Sequence, residues 1–323
     1  MKKPVAFITG IAGFAGSYLA EELLNHNYYV TGALYPSEPT TNINGIKKEL
    51  TLSKLDILKP DKCNSVISKI NPDYIFHLAA MASVGKSFAM ERMTYRVNVE
   101  GTLNILQAAI NLKKQPKVLF VSSSDTYGII KPKSKILTES YPLNPISPYG
   151  ISKATAERLC LFYFRQYGLP VIISRSFNHC GPRQTESFVV PDFAKQVAEI
   201  ELGIKNPTIS VGDLSTKRDL SDVRDIVRGY RLMAEKGKPG QVYQFCSGKA
   251  ATISSVLETL IGFSSKKIKV KTDKARFRKN DIPVLRGSNK KAVQELGFKS
   301  RYKLKDSLWD TYNYWLNKLS SQK

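Results

Sequence analysis

Three glycines set between a short apolar segment and an amphipathic one constrain this chain more than any other feature. Val5–Ile8 has the length and apolar continuity of a strand buried on both faces, and Ser17–Asn25 has the spacing of an amphipathic helix. Between them stand Gly10, Gly13 and Gly16, in the pattern GxxGxxG. Glycines so placed permit a tight turn, let backbone approach a pyrophosphate closely, and let the helix pack against the strand. The positive end of the helix dipole then faces the phosphates. In a strand–loop–helix context this spacing predicts a dinucleotide site.

The same alternation continues. Tyr28–Leu34, Leu50–Asp56, Tyr74–Leu78, Val118–Ser122 and Val171–Ser174 read as strands, with helices at Lys62–Ile70, Tyr95–Asn111 and Ile151–Gln166. Strands alternating with helices predict an α/β fold, a Rossmann-type doubly wound parallel sheet with right-handed crossovers. Proline and glycine interrupt the second half, where Val223–Glu235 reads as a helix, Gln241–Cys246 as a strand, and Leu304–Leu319 as an amphipathic helix carrying Trp309 and Trp315. The expected division is a dinucleotide-binding domain over residues 1–177, to which about 219–247 return, and a smaller C-terminal α/β substrate lobe over 178–323.

Composition removes several classes. The 49 basic and 27 acidic residues give a net charge of +22, but the lysines are dispersed in small groups such as Lys47-Lys48 and Lys266-Lys267. Without a long basic run or interleaved aromatics, nucleic-acid binding is not expected. No stretch of ~18 apolar residues is present, so no membrane span is expected. Cys63, Cys160, Cys180 and Cys246 are scattered without a CxxC pair, which argues against a zinc site or disulfide framework and for a reducing, cytoplasmic setting.

A chemical constellation follows the glycine loop. Tyr149 and Lys153 are four residues apart on one helical face. An ammonium beside a phenol favours the phenolate and so lowers the phenol pKa, which suits proton exchange with a hydroxyl or ketone during hydride transfer. Ser122-Ser123-Ser124-Asp125 closes the fifth strand, and carboxyl ends of parallel strands are where ligands sit. Ser123 is the expected partner of the reacting oxygen. Asp125 is a candidate acid/base or a turn cap. After the second strand, Gly32–Ser37 carries no acid for ribose hydroxyls, which leans the cofactor toward NADP over NAD, although no arginine stands there either. Asp56 reads as an adenine contact or as a cap.

Gly10/Gly13/Gly16, His77-Leu78-Ala79-Ala80, Asn98-Val99-Glu100-Gly101-Thr102, the serine-rich strand end and Tyr149/Lys153 together resemble the extended short-chain dehydrogenase/reductase family. The resemblance implies that Ser123, Tyr149 and Lys153 are catalytic, with Asp125 beside them. It places Gly10, Gly13, Phe14, Ala15, Gly16, Asp56, Ile57, Leu78, Ala79, Ala80 and Asn98 on the cofactor with Tyr149 and Lys153. Ser176–Arg183, Phe188–Phe193, Gly212–Asp219 and Arg278–Pro283 are similar to the nucleotide-sugar segments of GDP-mannose 4,6-dehydratases and GDP-4-keto-6-deoxymannose reductases. That similarity implies Asn178, Arg218 and Arg278 at the diphosphate, Val190 near the base, and Ser83, Ser87, Ser124 and Asp281 in the substrate site.

The carboxylate of Asp125 directs the expectation to a GDP-sugar 4,6-dehydratase acting on GDP-mannose or GDP-N-acetylglucosamine. The alternative is the NADPH-dependent 4-keto reductase. A non-catalytic dinucleotide sensor fits less well, since Tyr149 and Lys153 are both present. The resemblance also implies a homodimer or homotetramer.

Overall fold

A computed structural model describes residues 2–132, 136–277 and 281–321. In chain order the elements are β1 (Val5–Thr9), α1 (Phe14–Leu24), β2 (Tyr29–Leu34), β3 (Thr51–Lys54), α2 (Pro60–Ile70), β4 (Tyr74–His77), α3 (Val84–Ala89), α4 (Glu91–Tyr95) and α5 (Gly101–Ile110). There follow β5 (Lys117–Ser123), α6 (Pro148–Tyr167), β6 (Val171–Ser176), β7 (Asn178–Cys180), α7 (Val189–Glu201), β8 (Thr208–Val211), β9 (Lys217–Asp222) and α8 (Val223–Lys236). The remainder comprises β10 (Val242–Phe245), β11 (Ala250–Thr252), α9 (Ile253–Ile261), β12 (Lys269–Thr272), β13 (Val284–Leu285), α10 (Lys290–Leu296) and α11 (Leu304–Ser320).

Seven strands form a parallel sheet in the order β10-β6-β5-β4-β1-β2-β3. The order runs outward in both directions from β1 and β4, so a crevice opens beyond their carboxyl ends, where open α/β sheets bind ligands. One apolar cluster packs α1 and α8 on one face (Leu19, Leu23, Ile226 and Tyr230), and another packs α2, α5 and α6 on the other (Ile67, Ile105 and Ala156). Burial on both faces explains why the central strands are apolar throughout rather than alternating. β9 centres a second sheet with β7, β11 and β13, and α7, α9 and α11 enclose a separate core holding Trp315, while Trp309 stays 46% exposed. All four cysteines are buried free thiols.

Two sequence-read boundaries change in ways that matter. The segment expected as one helix over Tyr95–Asn111 is α4 and α5 joined by a π-helical stretch, Arg96–Glu100. Such single wide turns often turn a functional side chain inward, and here Asn98 is buried by it. Helix α6 begins three residues before the expected Ile151, because Ser147 caps it by accepting from the Gly150 N–H at 3.0 Å and Pro148 takes the first helical position. Tyr149 is thereby fixed within the first turn.

The glycine loop is sterically committed. Gly10 has φ +71°, and a Cβ at Gly16 would lie 2.1 Å from the Gly10 carbonyl oxygen. Gly16→Ala is therefore expected to lower unfolding stability by about 2–3 kcal/mol. Gly45→Ala, where nothing lies within 4 Å, should stay within about 0.5 kcal/mol. Urea unfolding of the two variants against the parent measures the contrast.

Candidate active site

One cavity of about 1410 Å³ runs along the carboxyl edge of the main sheet and into the second lobe. That exceeds the roughly 300–1,000 Å³ of ordinary small-ligand pockets. At its centre the amino end of α1 faces the cavity. Gly13 caps this helix in extended conformation without a side-chain cap, and the first turn carries no acid, so the free N–H groups and helix dipole are left for an anion.

Gly10, Gly13, Phe14, Ala15, Gly16, Asp56, Ile57, Leu78, Ala79 and Ala80 all line this cavity, with Ser123, Ser124, Asp125, Tyr149 and Lys153 further along. Ser83, Asn178, Val190, Arg218 and Asp281 line the remainder. Asp56 lines the cavity, and its Oδ1 accepts from the Leu58 N–H at 3.0 Å, the cap among the two roles left open for it. Arg278 lies outside the described residues. Asn98 and Ser87 do not line the cavity and act one layer behind it. Ser87 Oγ accepts from the Tyr149 N–H at 3.2 Å and donates to the Val84 carbonyl at 2.7 Å.

Asn98 belongs to a buried network whose proton positions follow from its geometry. Thr102 Oγ1 donates to the Asn98 carbonyl at 2.7 Å, so it accepts from His77 Nε2–H at 3.0 Å. His77 Nδ1 then accepts from Thr9 Oγ1 at 2.7 Å, and Thr9 Oγ1 in turn receives the N–H groups of Leu78 and Ala79. Asn98 Oδ1 accepts from the Met81 N–H at 2.8 Å. Its Nδ2 donates to Ser152 Oγ at 2.9 Å, and Ser152 Oγ donates to the Tyr149 carbonyl at 2.7 Å. The floor of the cavity at 78–81 is thus tied to the helix that carries Tyr149.

The reacting end has its own electrostatics. Ser123 Oγ donates to Asp125 Oδ2 at 3.1 Å and hydrogen-bonds the Tyr149 phenol. Burial, followed by the Asp125 charge, pushes the phenol well above its usual value. This differs from the expected lowering by Lys153. The Lys153 ammonium instead donates to the Val121 carbonyl at 2.8 Å, and burial brings its own pKa down to about 8. Behind it, Glu157 forms a buried ion pair with Arg175 at 2.8 Å and accepts from Ser122 Oγ at 2.5 Å.

At the far end Arg218 and Asp281 pair with each other at 2.6 Å, and Arg276 pairs with Asp192 at 2.8 Å. His179 stacks on Phe14 with centroids 5.8 Å apart. Sequence reasoning missed Glu38, Gln184, Arg276 and the Glu157–Arg175 pair. Glu38 stands one residue past the stretch inspected for an acid. The others carry no local spacing signal.

The family model described as GDP-mannose 4,6 dehydratase matches residues 7–311. The GDP-6-deoxy-D-mannose reductase of Pseudomonas aeruginosa is 30% identical over 98% of this chain and 98% of its own length. The GDP-mannose 4,6 dehydratase of Dictyostelium discoideum is 29% identical, with 91% of each covered. Among solved structures, RMD from Pseudomonas aeruginosa complexed with NADPH superposes with a TM-score of 0.85 at 29% identity, over 98% of this chain and all (100%) of that one.

His77 supplies a test of the network. Burial lowers its pKa to about 3, so the imidazole is neutral when folded while the unfolded chain takes up a proton below about 6.5. Its contribution to stability is complete above pH 6.5 and is lost as pH falls toward 3. Urea midpoints measured from pH 7 to pH 4 should decline, and His77→Asn should flatten that slope while costing about 1–3 kcal/mol at pH 7.

Proposed function

The chain belongs to the GDP-mannose 4,6-dehydratase family of extended short-chain dehydrogenase/reductases, and on that premise we propose that it reduces the C4 ketone of a GDP-linked 4-keto-6-deoxyhexose, using NADPH. It is a nucleotide-sugar enzyme with NADP(H) as cofactor. The glycine cradle and uncapped helix end fit a dinucleotide diphosphate, and NADPH supplies the hydride when bound. The observation that carries this reading is coverage: the Pseudomonas aeruginosa reductase matches over 98% of both chains, against 91% of each for the Dictyostelium discoideum dehydratase. Burial and Asp125 hold the phenol in its acid form at neutral pH, which suits delivery of a proton to a ketone oxygen.

Ser123 orients that oxygen through its hydroxyl, beside the phenol. Lys153, protonated below about pH 8, would hold the nicotinamide ribose. Arg218, held by Asp281, and Asn178 meet the diphosphate, with Val190 at the base. Full-length coverage of the Pseudomonas aeruginosa reductase supports the same reading. The 4,6-dehydratase reading keeps its own observation: Asp125 puts a carboxylate in the cavity next to Tyr149, where it serves as the acid/base that elimination across C5 and C6 requires.

We further propose a cytoplasmic homodimer or homotetramer, pairing through the exposed α6 stripe of Ile151 and Phe162. Pairing of that stripe would remove apolar surface from water.

Incubation with a preformed GDP-4-keto-6-deoxy sugar should consume one NADPH per sugar reduced. Conversion of GDP-mannose without reductant, with solvent deuterium entering C5 and no NADPH loss, would select the dehydratase instead. Tyr149→Phe should lower kcat/KM by about 10²–10⁴-fold while dinucleotide binding persists. On the alkaline side, kcat/KM should fall as pH rises through about 8, where Lys153 loses its proton.

A further inference from the structure

A second buried phenol reaches the cavity, and the function proposed above leaves it unused. Tyr230 belongs to α8, which packs with α1 on one face of the main sheet, and its side chain is fully buried. The phenol, a stronger acid than an alcohol, donates to Ser176 Oγ at 2.8 Å, and Ser176 Oγ donates on to Ser174 Oγ at 2.8 Å. Both serines are buried. Alternation along β6 groups these hydroxyls: Arg175 turns to Glu157 on α6, while Ser174 and Ser176 turn to the α8 face. Strand pairing then sets the group at the reacting end. Ser176 stands opposite Ser123 in the β5–β6 register, and paired strands run about 4.8 Å apart. Ser176 and Tyr230 line the cavity together with Ser123, Tyr149 and Lys153. The Tyr149 phenol is near enough to sense charge on Tyr230.

The proton count decides what this group can hold. Burial pushes the Tyr230 phenol up to about 12, so it stays neutral, and its proton is committed to Ser176. The proton of Ser176 is committed to Ser174. The two oxygens at the cavity are therefore left as neutral acceptors, which suit an N–H or O–H donor and give nothing to a phosphate. Ser174 alone would satisfy a buried phenol; Ser176 carries the pair to the cavity wall beside Ser123. Hydride transfer brings the reacting ring carbon of a nicotinamide within about 3–3.5 Å of the carbon it reduces. The carboxamide stands on the adjacent ring atom, so it falls among the groups next to Ser123 and Tyr149. We propose that Tyr230 and Ser176 accept the N–H of the nicotinamide carboxamide and hold the ring in one of its two orientations about the glycosidic bond. A hexose hydroxyl is the competing donor.

The inference rests on the dinucleotide half of the function proposed above, not on its sugar chemistry. Calorimetric titration of the full chain, without turnover, tests it. NADP+ is compared with its 3-acetylpyridine analogue, in which a methyl ketone replaces the amide and no N–H remains. The parent should bind NADP+ about three- to tenfold more tightly than the analogue, the range of one neutral hydrogen bond. Tyr230→Phe combined with Ser176→Ala should bring that ratio within about twofold of one, by weakening NADP+ and leaving the analogue unchanged. Ser176→Ala alone should lower the ratio as well, and decides the matter if the double variant does not fold. Adenosine 2′,5′-bisphosphate, which lacks the nicotinamide, should bind parent and variants equally. A parent ratio near one would overturn the proposal, as would a ratio unmoved in the folded variants. So would a loss of affinity confined to GDP-mannose, which would give the two hydroxyls to the hexose. A parent that binds neither NADP+ nor the adenosine bisphosphate would strike instead at the dinucleotide reading itself.

Discussion

The imidazole of His77 joins three parts of the chain that are far apart in sequence, and the geometry of the site depends on it. Through Thr9 it orients the end of β1, through its own strand the end of β4, and through Thr102 the π-helical stretch that carries Asn98. These strands flank the point where the sheet order diverges. Full burial keeps the ring neutral, so each nitrogen has one role, one donating and one accepting, and every proton in the chain of bonds has a defined place. The backbone at 78–81 is held from below by Thr9 and Asn98, which leaves its upper surface for a ligand.

A second buried set supports the reacting end from behind. Glu157 lies one helical turn beyond Lys153 and accepts from Arg175 in a bidentate pair and from Ser122. Arg175 also donates to the Tyr127 hydroxyl and the Glu139 carbonyl. Such a pair contributes little net stability against an apolar equivalent, but removal of one partner strands the other charge and costs about 3–5 kcal/mol. Its effect is positional: it holds β5, β6 and α6 in one arrangement, and with them the adjacent Ser123 and Lys153. The same low-dielectric surroundings explain why burial governs the protonation of Tyr149 and Lys153.

Much of this was legible in local spacing. The strand–glycine–helix entry, the alternation of strands and helices, and the four-residue separation of Tyr149 and Lys153 all follow from periodicities of 2 and 3.6 and from the steric freedom of glycine. Asn98 and Ser87 were chosen for the right neighbourhood, but their side chains turn away from the cavity to hold Met81 and Tyr149. Glu38 carries no strand or helix spacing signal because a turn, not a strand, carries it back to the cavity. Arg276 and Asp192 are 84 residues apart and meet only when α7 and the segment after β12 pack together.

By itself the sequence determined the architecture and the kind of chemistry: a parallel sheet, a phosphate-binding turn, and a phenol, a hydroxyl and an ammonium at strand and helix ends. These depend on interactions within a few residues, which short patterns record. Tertiary structure alone decided the burial of Tyr149, the direction in which Lys153 points, the pairing of Arg218 with Asp281, and the carboxylate of Glu38 turned onto the cavity. Those properties depend on burial and on partners distant in the chain, and no local pattern of residues encodes how much water a side chain will lose.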